Sequence, residues 1–139
     1  MKKKIAIIDF GTSNLKSINA AFNLFDVQSS VTTSLREINN SDAVVLPGVG
    51  AFAEAMSFLK KNRIDQAIKT TIYKKKPFLG ICLGMQLLFD SSEEFNFCSG
   101  LGILKGKVMN LKKLIRKHNI IIPNTGWYSL QKNAKFKKK

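Results

Sequence analysis

Acidic residues are scarce in this chain. Its 139 residues carry 9 Asp and Glu against 23 Lys and Arg, a formal charge of +14. That excess could serve a polyanion. However, the lysines are scattered, cluster only at Lys74–Lys76 and Lys137–Lys139, and have few aromatics among them to stack on bases. Nucleic acid is therefore not an expected partner. Long apolar runs are missing too. The longest, Ala43–Pro47 and Ile120–Pro123, fall far short of the roughly 18–20 residues of a membrane span, so no membrane association is expected. Behind Lys2-Lys3-Lys4, Asp9 and Gly11 interrupt the apolar stretch after a strand's length, which argues against a secretory leader. The 2 cysteines are too few for a disulfide framework, and the expectation is free thiols in a reducing cytoplasm. The single histidine, His118, sits in the basic loop Lys117-His118-Asn119 without an acidic neighbour, which reads as a solvated residue rather than a general base. Cys82, Cys98 and His118 match no metal-ligand spacing, so no metal and no other cofactor is expected.

What the sequence does have is a core. Hydrophobic residues make up 45% of it, with 9 Gly and 3 Pro, the composition of one globular domain. Apolar periodicity alternates between strand and helix. Lys4–Phe10 reads as a buried strand. Gly11-Thr12-Ser13 follows as a turn, and Ser13 or Asn14 caps a helix whose apolar face is Leu15, Ile18, Phe22 and Phe25. Val27–Thr32 and Ala43–Leu46 read as strands, the latter closed by Pro47-Gly48-Val49-Gly50. One helix carries Phe52, Met56 and Leu59, and another runs from Ile64 to Lys75. Pro77–Ile81 is a fourth strand and Leu83–Phe89 a helix directly after Cys82; further on, Lys107–Leu111 and Ile120–Ile122 read as strands. Repeated strand–helix–strand units predict an α/β fold, an open and mostly parallel sheet with helices on both faces. Ligands bind such sheets at the carboxyl ends of the strands, where all three glycine-bearing turns fall.

The sharpest local feature is Gly80-Ile81-Cys82-Leu83-Gly84, a G-x-C-x-G between a strand and a helix. It is the thiol counterpart of the G-x-S-x-G nucleophile elbow. A nucleophile on so tight a turn takes a strained backbone, and glycines two before and two after let the helix approach the strand. A helix N-terminus favours the thiolate, and the Leu83 amide points where an oxyanion would form. Cys98 reads as a loop residue with no such setting, and as inert. Gly48-Val49-Gly50-Ala51-Phe52-Ala53 imitates a dinucleotide fingerprint, G-x-G-x-x-A, but no acidic residue ends a following strand at the required distance. That turn fits better as the second half of an oxyanion hole. Gly100–Lys107 is a P-loop near miss with the wrong glycine spacing and Val108 in the Ser/Thr position.

At these residues the sequence resembles the class I, triad-type glutamine amidotransferases, and within them the glutaminase subunits of imidazole glycerol phosphate synthases. The matching stretches are Ile7–Ile18, Leu46–Phe52, Phe78–Glu94, Gly100–Val108 and the P-x-x-G-W of Pro123–Trp127, nearly end to end. The resemblance makes residues 1–139 roughly the N-terminal two thirds of one amidotransferase domain, a fold incomplete at its C-terminus. It implies that Cys82 attacks the glutamine carboxamide, forming a glutamyl thioester and releasing ammonia. Backbone amides of Val49, Gly50 and Leu83 would hold the oxyanion, Gly48 and Gln86 the glutamine. Asn14 and Trp127 would face a synthase (cyclase) subunit that takes the ammonia within a heterodimer. The family's H-x-E pair, the base and its orienter, is expected beyond residue 139. A glutaminase-like subunit of a surface-sugar amidotransferase, and a catalytically silent docking module, are the alternatives.

Overall fold

The computed structural model describes residues 2–11, 14–114 and 126–129, in two compact units, Met1–Met109 and Asn110–Lys139. In the first unit β1 (Lys3–Ile8), β2 (Val27–Thr32), β3 (Ala43–Gly48) and β4 (Phe78–Cys82) form a four-stranded sheet in the order β2-β1-β3-β4. Every pairing in it is parallel.

Alternation along β1 divides the core between the two sheet faces. Ala6, Ile8 and Phe10 join Val44 and Leu46 on one face, where α2 (Leu35–Asn40), α3 (Phe52–Lys61) and α4 (Ile64–Tyr73) pack through Ile38, Met56, Leu59 and Ile68. Ile5 and Ile7 join Val45 on the other face, against Leu15, Ile18 and Phe22 of α1 (Leu15–Phe22). Helices therefore cover both faces, as the periodicity predicts. Pro47 cannot donate to a ladder, and β3 pairs with β1 only from Ala43 to Val45; beyond that it pairs with β4 alone.

Several boundaries differ from the sequence reading. Phe25 leaves the predicted α1 face, since the helix ends at Phe22 and Phe25 is exposed in the following turn. The helix α2 was not anticipated. The predicted helix Leu83–Phe89 is a single turn, α5 (Leu83–Gln86), after which the chain extends as β5 (Phe89–Ser92). Buried Leu87 and Leu88 form the turn between them, bonding back to Leu83 and Met85, and the strand starts at Phe89, where β5 has partners on both sides. It pairs antiparallel with β6 (Cys98–Ser99) and parallel with β7 (Leu104–Val108). The predicted strand Lys107–Leu111 thus begins and ends earlier, and Gly100–Lys107 is spent on this second sheet rather than on a phosphate loop. The predicted strand Ile120–Ile122 lies outside the described residues. In the second unit α6 (Leu111–Leu114) follows Asn110, whose side-chain carbonyl accepts from the Lys112 N–H at 2.9 Å.

The carboxyl end of α4 carries a testable strain. Lys75 N–H donates to the Ile72 carbonyl and Lys76 N–H to the Thr71 carbonyl, the paired bonds that close a helix through a left-handed residue. That residue is Lys75, at φ 56°. Glycine takes this conformation without the Cβ penalty. Lys75→Gly should therefore raise the urea-unfolding free energy by about 1 kcal/mol. A lower midpoint would show that the Lys75 side chain makes contacts worth more than the strain.

Candidate active site

Because the strands run parallel, the ends of β1, β3 and β4 meet at one sheet edge. Asp9-Phe10-Gly11 leaves β1 there, Gly48-Val49-Gly50 leaves β3, and Cys82 ends β4. The β3–β4 register sets Gly48 directly beside Cys82. Gly11 and Gly50 have φ of 85° and 105°, conformations that suit glycine and let the chain turn sharply away from the sheet.

Cys82 is the strained residue of this edge. It has φ 53° and ψ −117°, outside the regions an L-residue ordinarily occupies, and its thiol is exposed. The flanking glycines explain how the chain accepts that turn. A Cβ on Gly80 would lie 2.8 Å from Met85 Cα and 2.9 Å from Met85 N. A Cβ on Gly84 would run into the Leu46 carbonyl oxygen and come within 2.6 Å of its carbonyl carbon. Strand and helix turn are so close that no side chain fits between them at either position. Leu83 is buried beneath the elbow, Gln86 is half-buried one turn further on, and Val49 is half-exposed. With α5 only one turn long, few peptide dipoles add up behind Cys82. The electrostatic help expected from a longer helix is correspondingly reduced.

The other candidates are placed less closely. Asn14 is exposed and caps α1, its side-chain oxygen accepting from the Ser17 N–H at 3.3 Å. Trp127 is exposed and belongs to the second unit. Cys98 lies in β6, opposite Ser92, rather than in a loop. His118 lies outside the described residues. No group of three metal-ligating side chains occurs among the described residues, and no helix among them is long and apolar enough to cross a membrane. A hollow of about 670 Å³ beside Lys4, Ser30 and Arg36 contains none of the candidate residues. It lies along β2 and α2, at the opposite side of the sheet from β4 and Cys82.

Sequence reasoning overlooked Phe10. Its ring is buried, and its Cζ occupies the space a Gly48 Cβ would need. The only signal was its place as the last apolar residue of the β1 run, immediately before Gly11 at the sheet edge.

Comparison with known proteins bears on the same residues. The pattern of the family described as "Glutamine amidotransferase class-I" matches residues 6–138. The chain is 45% identical over 132 residues to the "Imidazole glycerol phosphate synthase subunit HisH" of Bacillus cereus, covering 95% of this chain and 61% of that one. It is 46% identical over 126 residues to the protein of the same name from Caldanaerobacter subterraneus, covering 91% and 60%. The chain thus spans about three fifths of the length of the curated relatives it matches. Two solved structures share the fold. One, described as a glutamine amidotransferase, has TM-score 0.64 and 13% identity over 76% of this chain and 55% of its own. The other, a putative peptidase E protein from Listeria monocytogenes, has TM-score 0.61 and 16% identity over 73% and 63%. One architecture carries both descriptions, so the chemistry has to be argued from the site.

Proposed function

The chain belongs to the class-I glutamine amidotransferase family, and on that premise we propose that Cys82 is the nucleophile of a glutaminase. Its sulfur attacks the side-chain carboxamide carbon of glutamine. Backbone N–H groups of Leu83 and of the Val49–Gly50 turn hold the oxyanion of the tetrahedral intermediate. The C–N bond then breaks, ammonia leaves, and water hydrolyses the glutamyl thioester to glutamate. Gly48, which has no side chain, and Gln86 leave room for and hold the glutamine. The thiol proton passes to a general base, and the departing ammonia takes one up. By the family resemblance, that base is the histidine of an H-x-E pair.

The observation that carries this reading is the strained, exposed Cys82 between two glycines that no other residue can replace without a backbone collision. The relatives are named as subunits of a synthase, which supports a further synthase subunit as partner; we assign to that partner the role of ammonia acceptor, in a heterodimer. Asn14, exposed beside the Gly11 turn, and Trp127 are the residues we assign to that contact. Free thiols at both cysteines fit a cytoplasmic setting. Neither the surface-sugar nor the silent-docking alternative gains support from these comparisons.

Hydroxylamine provides the test, since it captures a glutamyl thioester as the hydroxamate. Glutamyl hydroxamate should form above the protein-free blank, slowly because this sequence contains no H-x-E, when the chain, with its synthase partner, is given glutamine and hydroxylamine, and should fall to the blank in Cys82→Ala. Equal yields from the two proteins, both above the blank, would rule out thioester chemistry at Cys82.

A further inference from the structure

We propose that Phe10 is a positioning residue for the oxyanion turn, a role that rests on the glutaminase reading of that turn. Phe10, just past the end of β1, and Leu83, the first residue of α5, belong to the core cluster on one sheet face, and both meet Gly48 at the end of β3. The Phe10 ring fills the space against Gly48 so completely that an added Cβ would meet Cζ, and would lie 3.2 Å from Cε1. The same Cβ would lie 3.3 Å from Leu83 Cβ. Gly48 therefore sits tight against both the Phe10 ring and the residue that follows the nucleophile. It is the hinge from which Val49 and Gly50 project.

The surroundings give the turn little other support. Val49 is 55% exposed, and among the described residues nothing beyond its chain neighbours lies within 4 Å of where a Gly50 Cβ would sit. A hollow of about 230 Å³, lined by Phe10, Val49, Ala51, Glu54, Ala55 and Phe58, opens beside it. Phe10 itself is well held. It is 6% exposed, and its ring packs against Phe58 with centroids 6.5 Å apart at 46°. A fixed ring against a side-chain-free backbone provides what a preorganised amide donor requires, a wall that does not give way as charge develops.

Phe10→Leu, which keeps the site apolar while shortening the wall, is the test variant. Two readouts separate the possible failures. Amide hydrogen exchange at Val49–Ala51 should quicken roughly ten-fold while Ile5–Ile8 stay as slow as before. Alkylation of Cys82 by a glutamine-shaped chloroketone should slow by a similar factor, roughly ten-fold, while alkylation by iodoacetamide keeps its rate. Iodoacetamide makes no demand on the oxyanion turn, so a merely structural loss would move both rates together. A second comparison runs in the opposite direction. Gly48→Ala should cripple chloroketone labelling, and adding Phe10→Leu to it should restore part of the rate by vacating the colliding space. If exchange at the turn is unchanged in a folded Phe10→Leu protein, Phe10 does not position it and the proposal falls. If exchange quickens as expected but the unmodified chain shows no preference of the chloroketone for Cys82, the glutaminase reading falls, and the catalytic meaning of Phe10 with it.

Discussion

Gly84→Ala should abolish most of the folded population, lowering the unfolding free energy by at least about 3 kcal/mol. The added methyl would meet the Leu46 carbonyl oxygen and carbon, and neither is the end of a side chain that could swing aside. Leu46 is in the middle of β3, fully buried, and in register with Gly80 of β4. Relief would require moving either a central strand or the helix turn that carries Leu83. The loss of cooperative unfolding in urea, or a midpoint far below that of the unmodified chain, is the expected result. A near-native midpoint would mean that the elbow opens freely, and the tight strand-to-helix contact argued above would be wrong.

Cys82→Gly should separate stability from chemistry. At φ 53° and ψ −117° the native residue pays a strain of about 1–3 kcal/mol that glycine avoids. Glycine's extra freedom in the unfolded chain offsets part of this, leaving a net gain of about 1 kcal/mol. The exposed thiol contributes little packing to set against that gain. The same variant should yield no glutamyl hydroxamate at all. Removal of a nucleophile ordinarily costs several orders of magnitude in turnover. A variant that is less stable than the parent would show that the Cys82 side chain holds the turn together, rather than being held in strain for reaction.

How far these features could be read from sequence depends on how local their causes are. The sheet was legible because β1 and β3 carry short runs of Ile, Val, Ala and Leu, β4 carries Phe78, Leu79 and Ile81, and a glycine-bearing turn follows each. The elbow was legible because a glycine two residues either side of a cysteine has few other uses between strand and helix. The helix α2 had a local signal that went unread. Ser34 and Glu37 form the S-x-x-E of a capped N-terminus, and the Ser34 side chain does accept from the Glu37 N–H at 3.4 Å. Other features had no local cause to read. Leu87-Leu88-Phe89 continues the α5 pattern; Leu87 and Leu88 still bond back to Leu83 and Met85, and the chain becomes extended only from Phe89, where the later strands β6 and β7 pair on either side of β5. Phe10 looked like one more core residue. That its ring takes the place of a side chain on Gly48 follows from parallel pairing between strands 38 residues apart in β1 and β3, as Ile5 beside Ala43.

The central claim is that Cys82, and not Cys98, is built to attack a glutamine carboxamide. Its most direct test is to treat the chain with a limiting amount of a glutamine-shaped chloroketone, digest it, and locate the adduct by mass spectrometry. The adduct should map to the peptide containing Cys82, should be suppressed by excess glutamine, and should leave Cys98 unmodified. Labelling that favours Cys98, or that falls on both thiols alike and ignores glutamine, would contradict it.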